Sequence, residues 1–532
     1  MSKQMHTSSP HEKSDAPRLT STFNKKAAKP LFAGRIAPEQ AARLRLAGKR
    51  FVITSAQNNT EVNPGFLKAL ETYCEKNHAQ LLVGKYTYNK GAYQKQEDGQ
   101  PWYDPRIAKY ALDQSAEITK KLRFCAELDI NPTSSSPFSG LNNYCEGASG
   151  IVCSPQFAMK SLPGLGGDAA RFLYTTGTCT QRNYKDNKAG ERADEKHEYG
   201  ALAVEVDRDG NFFVRQLAAD DSGAFYDLTD KYLPNGKVLH DQRVEAVTLG
   251  DIHVEKGDAL VDRVSFGKGG IMDTLKPKYL FIHDVLDFSA RNHHNIQDPF
   301  FWAEQQKKGA TVEGGIDLVG QWLKAHEAAD RRNVVVESNH DEAYDRWMAN
   351  ADARFDPVNA LFWHESCAER LRQIKEGNFH PNMLEWAVRR KTDLKHTQFL
   401  KENDSFVICK TKEQGSGIEC ALHGHNGPNG ARGTPKEFAE LPTKSNTGHT
   451  HTAGIIDGVY TAGVSGNLDM EYNKGPSSWS HSHIITYPNG KRAIVTVRDG
   501  KWHADQKVDF HMAAAKAHTA KKGPPKPPAL AA

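Results

Sequence analysis

The sequence EAVTLGDIH spans residues 245–253. An apolar run ends in an aspartate and a histidine two residues apart, Asp251 and His253. In a β-strand, residues i and i+2 point to the same side, so the two side chains can aim at one cation. An Asp-x-His tripeptide alone is also typical of a solvated loop after a buried strand. Whether this tripeptide indicates a metal site therefore depends on whether the rest of the chain supplies further ligands.

Four more polar groups occur in order along the chain. They read HDVLD at 283–287, SNHD at 338–341, LHGH at 422–425 and GHTH at 448–451. The first two come directly after the apolar strand candidates KYLFI at 278–282 and NVVVE at 333–337. In open α/β sheets, sites lie beyond the carboxyl ends of the strands, so this placement predicts one shared site. Mixed nitrogen and oxygen ligands without thiolates favour Mn²⁺, with Mg²⁺, Zn²⁺ or iron as alternatives.

Composition places the chain among globular proteins with more than one core. Its 532 residues predict two domains or one with large insertions. No apolar run approaches the ~18 residues of a membrane helix, and the N-terminus lacks the apolar region of a signal peptide. The eight cysteines contain no Cys-x-x-Cys and predict reduced thiols, which indicates the cytoplasm. A net charge of +4 says little about a polyanionic partner.

The fold class predicted is α/β (α+β), in four parts. Residues 1–48 form a flexible basic arm that turns helical over 38–46, and 49–240 form an N-terminal α/β domain. Residues 241–511 carry the polar groups, and 512–532 form a disordered basic Pro/Ala-rich tail. Either tail touches nucleic acid or only keeps the protein soluble. The sequence also leaves open whether residues 50–84 begin an inactive internal relative of the second half, because the strand, turn, helix and strand of 245–287 occur in the same order.

The ordered set Asp-x-His, Asp-x-x-Asp, Asn-His-Asp, His and Gly-His-x-His resembles the calcineurin-like metallophosphoesterase superfamily over about residues 244–500. The resemblance implies a two-sheet sandwich flanked by helices that holds two divalent metal ions. It implies that one ion is held by Asp251, His253 and His451. It implies that the other is held by Asn339, His423 and His449, with Asp284 bridging both.

The same resemblance implies that metal-activated hydroxide attacks a phosphoester, with His340 as the general acid and Asp287 orienting it. His283 and Ser338 stand where the superfamily has glycine, which changes turn residues but no ligand. Phe288 stands where phosphoprotein phosphatases have arginine, which counts against that branch. His425 is a rival to His423 as ligand, although His423 is closer to its strand.

Three functions are compatible with such a site. The first is a DNase acting on host DNA in the bacterial cytoplasm, because the chain is also similar to the early DNA-transfer and DNase proteins of T-five-like tailed phages. The second is a phosphatase or phosphodiesterase acting on nucleotides or proteins. The third is a scaffold with a structural metal site. A homo-oligomer is compatible with each of them.

Overall fold

The computed structural model describes residues 44–88, 101–165, 169–292, 295, 298–413, 415–470 and 473–506. The basic arm up to residue 43 and the C-terminal tail lie outside these residues. Leu44–Arg45, predicted as the end of a helix, instead forms a strand parallel to Ala116 and Glu117. The helix prediction is wrong there because the neighbouring strand provides hydrogen-bond partners for the backbone groups, as in the hydrogen bond that Leu46 N donates to Glu117 O.

The α/β class is confirmed, since the described residues contain both strands and helices throughout. The strands are β1 Leu44–Arg45, β2 Arg50–Gln57, β3 Gln80–Tyr86, β4 Ser115–Thr119, β5 Leu122–Cys125, β6 Ser149–Val152, β7 Met159–Leu162, β8 Arg171–Thr175, β9 Gly200–Val206, β10 Phe212–Ala218, β11 Phe225–Asp227, β12 Asp230–Tyr232, β13 Val238–Leu239, β14 Ala246–Thr248, β15 Tyr279–His283, β16 Arg332–Val336, β17 Thr397–Phe399, β18 Val407–Ile408, β19 Ile418–Glu419, β20 Lys444–Thr447, β21 Gly454–Ile456, β22 Val459–Thr461, β23 Ser482–Thr486 and β24 Arg492–Thr496. The helices are α1 Pro64–Asn77, α2 Lys188–Glu195, α3 Ala259–Phe266, α4 Ile271–Leu275, α5 Pro299–Lys308, α6 Val312–Ala325, α7 Glu342–Asn350, α8 Ala360–Lys375, α9 Met383–Arg389 and α10 Pro435–Phe438.

Four sheets organise these strands. The largest has 11 strands in the order β1-β4-β5-β6-β8-β7-β21-β22-β20-β19-β18. A six-stranded sheet runs β17-β16-β15-β14-β23-β24, a four-stranded sheet runs β10-β9-β2-β3, and β11-β12-β13 form a small three-stranded sheet. The largest sheet takes strands from both predicted domains, and β7 pairs antiparallel with β21 where the two sets meet. The boundary near residue 240 stays a prediction.

The two halves of the chain repeat one strand topology. In the first half, β4–β5 pair antiparallel, β5–β6 and β6–β8 parallel, and β8–β7 antiparallel. In the second half, β18–β19 pair antiparallel, β19–β20 and β20–β22 parallel, and β22–β21 antiparallel. The order β3-β2-β9-β10 likewise matches β15-β14-β23-β24 in its parallel and antiparallel pairings. This agreement supports the internal relative that the sequence leaves open.

The first half lacks the polar groups of the second at corresponding places. Thr176 N donates to Val152 O after β6, just as Ala462 N donates to Thr447 O after β20. Two residues beyond Val152 stands Ser154, where the second half has His449. Within the described ranges, groups of His, Cys, Asp or Glu that could hold a metal ion lie only between residues 251 and 451. In its described residues, the first half therefore keeps the topology without the ligands.

Separate hydrophobic cores cover the two faces of the sheets. Helices α3, α4 and α6 to α9 supply or border the core on one face of the six-stranded sheet, and the largest sheet packs on the other. Helix α1 covers the four-stranded sheet. It begins where Asn63 accepts a hydrogen bond from Phe66 N and Pro64 takes the first helical position. In the part of the chain that the structure describes, none of the helices has the length and apolar character to cross a bilayer.

Candidate metal centre

The ends of neighbouring strands bring the candidate side chains together. Strands β14, β15 and β16 run parallel and adjacent, so their carboxyl ends meet at one edge of the sheet. Asp251 comes after β14, Asp284 after β15, and Asn339 after β16. The facing large sheet supplies the histidines, with His423 after β19 and His449 after β20. The residues that the sequence places in one site thus lie at one end of two packed sheets.

Strand alternation is not what aligns Asp251 with His253. Strand β14 ends at Thr248, before both residues. His253 has a left-handed backbone with φ of 48°, and Asp284, His449 and His451 have φ of 44°, 70° and 55°. Non-glycine residues in this region are strained, and such residues cluster at functional sites. Four of the seven predicted ligands therefore owe their direction to irregular backbone, which a strand pattern does not predict.

The first cluster consists of four buried side chains with converging ligand atoms. These atoms, from Asp251, His253, Asp284 and His451, all lie within 4.8 Å of one another. His253 Nε2 lies 3.1 Å from His451 Nε2, and Asp251 Oδ2 lies 3.1 Å from His451 Nε2. Two imidazole nitrogens face each other at a distance where a cation between them would accept both lone pairs. This cluster can hold a metal ion.

The second cluster meets at the side-chain oxygen of Asn339. His423 Nε2 and His449 Nδ1 each lie 3.0 Å from Asn339 Oδ1. His423 Nε2 also lies 3.3 Å from Asp284 Oδ2, while His253 Nε2 lies 3.7 Å from the same oxygen. The carboxylate of Asp284 therefore stands between the two clusters.

The two predicted catalytic residues lie beside the clusters. His340 N donates to Asp284 Oδ1 at 3.3 Å, and His340 Nδ1 lies 3.1 Å from the backbone oxygen of Asp287. The Asp287 carboxylate is closer to His253, with Oδ1 3.1 Å from His253 Nδ1 and 3.9 Å from His340 Nδ1. Asp287 thus orients His340 through its main chain, while its side chain fixes the ring of His253. Carboxylates in that position commonly orient histidine ligands.

The electrostatics of the centre favour a cation. Burial opposes charge on Asp284, but the neighbouring His423 and His340 outweigh it and hold the pKa of that carboxyl well below its usual range. Burial also opposes charge on His423, yet Asp284 raises the pKa of His423 to about 9. Burial lowers the pKa of His449 to about 4, so this imidazole is neutral. Charged carboxylates and neutral imidazoles are the forms that bind metal ions, so His423 would release its proton when a metal ion binds.

Buried atoms without partners supply a further test of metal binding. Within the described residues, Asp251 Oδ1 is buried and makes no hydrogen bond. A buried polar atom without a partner is costly, by about 1–3 kcal/mol. A cation at the centre would give this carboxylate oxygen a partner.

His425, the rival to His423, points elsewhere. Its Nε2 atom lies 3.0 Å from Glu342 Oε1 on helix α7. His423 instead contacts Asn339 and Asp284. The structure therefore places His423, the first histidine of the pair, at the centre.

Two supporting residues are missed by sequence reasoning. His483 on β23 accepts a hydrogen bond at Nδ1 from Gly250 N at 3.0 Å. It thereby fixes the loop that presents Asp251. Gly448 lies so close that an added Cβ would stand 2.2 Å from Asp251 Oδ1. Gly448 is the first residue of the Gly-His-x-His motif, whereas His483 is far from every motif in the sequence and carries no such signal.

Replacing Gly448 with alanine is expected to weaken Mn²⁺ binding by about 10- to 100-fold, the usual effect of disturbing a residue that positions a ligand. The added methyl group would displace the Asp251 carboxylate. Isothermal titration calorimetry of the metal measures the change. Gly454→Ala is the matched control, because its Cβ would approach nothing nearer than 3.3 Å. Equal affinities for the two variants would contradict the role of Gly448.

The fold and site together define a mixed α/β protein with a buried histidine and aspartate cluster that can hold a metal ion. The chain is 43% identical over 475 residues to "Protein A1" of Escherichia phage T5, a match that covers 86% of this chain and 83% of that protein. The chain therefore belongs to the family of this phage protein, which confirms the predicted kinship with T-five-like phages. No family model and no solved structure matches it.

Proposed function

We propose that this protein is a metallophosphoesterase of the calcineurin-like superfamily, a two-metal-dependent phosphodiesterase that degrades DNA in the host bacterial cytoplasm. The observation that carries the proposal is the position of the Asp284 carboxylate between the two clusters of motif residues. Its Oδ2 atom lies 3.3 Å from a nitrogen of the second cluster and 3.7 Å from a nitrogen of the first. A carboxylate placed between two ligand sets is the arrangement that two-metal hydrolysis requires.

Each cluster has the composition of a divalent metal site. Asp251, His253 and His451 would hold one ion; Asn339, His423 and His449 would hold the other, with Asp284 shared. When bound, two such ions lower the pKa of water and stabilise both oxygens of an in-line phosphoryl displacement. Nitrogen and oxygen ligands without thiolates make Mn²⁺ the first choice.

His340 is the residue placed to deliver a proton. The carbonyl oxygen of Asp287 accepts from its Nδ1 atom at 3.1 Å, so Nε2 is the nitrogen that would protonate the leaving oxygen. Its backbone also binds Asp284, which ties the acid to the metal ligands. A positioned general acid contributes about 10²- to 10⁴-fold.

The packing around Phe288 argues against the phosphoprotein phosphatase branch. Phe288 is buried, and its ring centroid lies 6.4 Å from that of Tyr344 and 6.2 Å from that of Trp347. An arginine at that position would have to enter an aromatic core. A polymeric substrate is further supported by the large first half, which a small-molecule phosphatase does not need.

The test is incubation of the full-length protein with supercoiled plasmid in EDTA, Mg²⁺ or Mn²⁺. Metal-dependent nicking or degradation, absent in EDTA and strongly reduced in His340→Ala, is the expected result. Hydrolysis of a chromogenic monoester in preference to DNA would replace the DNase with a phosphatase. Chelation that lowers thermal stability, with no turnover of any phosphoester, would instead establish a structural metal site.

A further inference from the structure

A cavity of about 970 Å³ lies between the two halves of the chain, beside the metal centre. Its walls include Lys120, Lys121 and Arg171 from the first half and Trp479 and Arg498 from the second. The ring centroid of Trp479 lies 4.1 Å from that of His451, so one aromatic ring separates the cavity from a metal ligand. A polymeric substrate bound in the cavity would thus extend to the metal centre.

Each acidic side chain of the cavity has a hydrogen-bond or ion-pair partner that is not one of the basic residues of the cavity. Asp258 caps helix α3 by accepting from Leu260 N and Val261 N. Glu146 lies 3.6 Å from Arg123, and Asp499 accepts from Asn211. The basic side chains of the cavity differ, because in the described residues none of them has an acidic partner.

Within the described ranges, none of the four basic side chains of the cavity forms an ion pair with a carboxylate; they are Lys120, Lys121, Arg171 and Arg498. Lys121 Nζ donates only to the neutral Asn211 Oδ1, at 2.9 Å. The cavity therefore holds four basic side chains without an ion-pair partner among the described residues, against three carboxylates of which one, Glu146, is paired with Arg123.

Arg498 gives a second, independent indication of an anionic ligand. Its guanidinium carbon lies 5.1 Å from the ring centroid of Phe172 and 4.4 Å from that of Phe212, both in the first half. Its Nε and Nη2 atoms are buried and have no hydrogen-bond partner in the described part of the chain. Buried donors of a guanidinium usually meet an anion, and phosphate suits their planar geometry.

We infer that this cavity binds the phosphodiester backbone of a single DNA strand next to the bond that the metal centre cleaves. Basic side chains that track the backbone beside an aromatic ring are the usual elements of a single-strand site. The inference rests on the proposed function and deepens it, because it gives the first half a role in holding the substrate. Lys120 and Arg171 on the first half would each neutralise a backbone phosphate.

The test measures DNA binding apart from cleavage. A short fluorescein-labelled oligothymidylate is titrated with full-length protein in EDTA at several salt concentrations, and anisotropy reports Kd. Each phosphate contact contributes about 0.7 to the slope of log affinity against log salt for single strands. Lys120→Ala/Arg171→Ala should therefore reduce the slope by about 1.4 and raise Kd roughly 25-fold at 0.1 M salt.

The matched control is Lys188→Ala/Lys237→Ala, which removes two exposed lysines outside the cavity. The cavity variant should also retain wild-type hydrolysis of bis(p-nitrophenyl) phosphate in Mn²⁺, since this small diester does not reach the cavity. A cavity variant with the Kd and salt slope of the control would overturn the inference, as would a wild-type protein that does not bind the oligonucleotide.

These outcomes separate the inference from the proposed function. If DNA is hydrolysed but binding does not depend on Lys120 and Arg171, the cavity is not the strand site and the proposed function stands. If no phosphodiester is hydrolysed, the proposed function fails, while binding in EDTA still decides whether the cavity holds a strand.

Discussion

Asp284→Ala is expected to reduce bound Mn²⁺ from about two ions per chain to less than one and to abolish hydrolysis. The Asp284 carboxylate stands between the clusters, 3.3 Å from His423 and 3.7 Å from His253. Without it, each cluster loses an anionic oxygen, and the histidines face one another across the gap. Metal analysis of protein dialysed against Mn²⁺ gives the stoichiometry.

A thermal measurement checks the same variant independently. A ligand at 100 times its Kd stabilises the folded state by about 2.7 kcal/mol, so Mn²⁺ should raise the melting temperature of the wild type. The Asp284→Ala variant should melt at the same temperature with and without Mn²⁺. Two tightly bound ions in this variant would show that the ligand assignment is wrong.

Asp341→Asn provides the control, because Asp341 is another buried carboxyl close to the centre. It accepts from Ser338 Oγ at 2.7 Å and from Leu286 N at 3.1 Å, and touches neither cluster. Burial and the charge of Asp284 raise the pKa of Asp341 to about 8, so the group is neutral at pH 7. The uncharged asparagine should therefore leave metal stoichiometry unchanged.

The sequence predicts the position of site residues best where polar residues directly follow a regular strand. The apolar runs before His283 and Ser338 predict parallel neighbours, and β15 and β16 are such neighbours in the structure. Parallel strands buried on both faces are continuous apolar runs, which makes them easy to recognise. Every polar group placed after such a run lies at the expected edge.

The sequence does not predict the pairing of strands that are far apart in the chain. The antiparallel pairing of Met159 and Lys160 with Ile455 and Gly454 joins strands almost 300 residues apart in the chain. The periodicity of a sequence does not indicate which distant strand a strand will pair with. Sequence alone therefore leaves the repeated topology as an open alternative. The sequence does not predict the contact of the Asp287 carboxylate with His253 for a similar reason, since that ring comes from the loop after another strand.

His340→Ala is expected to retain both metal ions and to lower the rate of DNA hydrolysis by about 10²- to 10⁴-fold. The side chain of His340 is outside both ligand sets, and its Nδ1 atom is engaged by the Asp287 carbonyl. Its loss therefore removes a proton donor without removing a ligand. Single-turnover cleavage of a labelled oligonucleotide measures the rate.

The leaving group distinguishes an acid from a positioning residue. A p-nitrophenolate ion departs without a proton, whereas the sugar oxygen of DNA requires one, so an acid matters only for the second substrate. His340→Ala should accordingly cleave a p-nitrophenyl ester of thymidine monophosphate at a rate within about tenfold of the wild type, while DNA cleavage falls by the full factor. Equal losses on the two substrates would mean that His340 orients the substrate or the Asp284 carboxylate, to which its backbone N–H donates. Unchanged rates on both would remove it from the reaction.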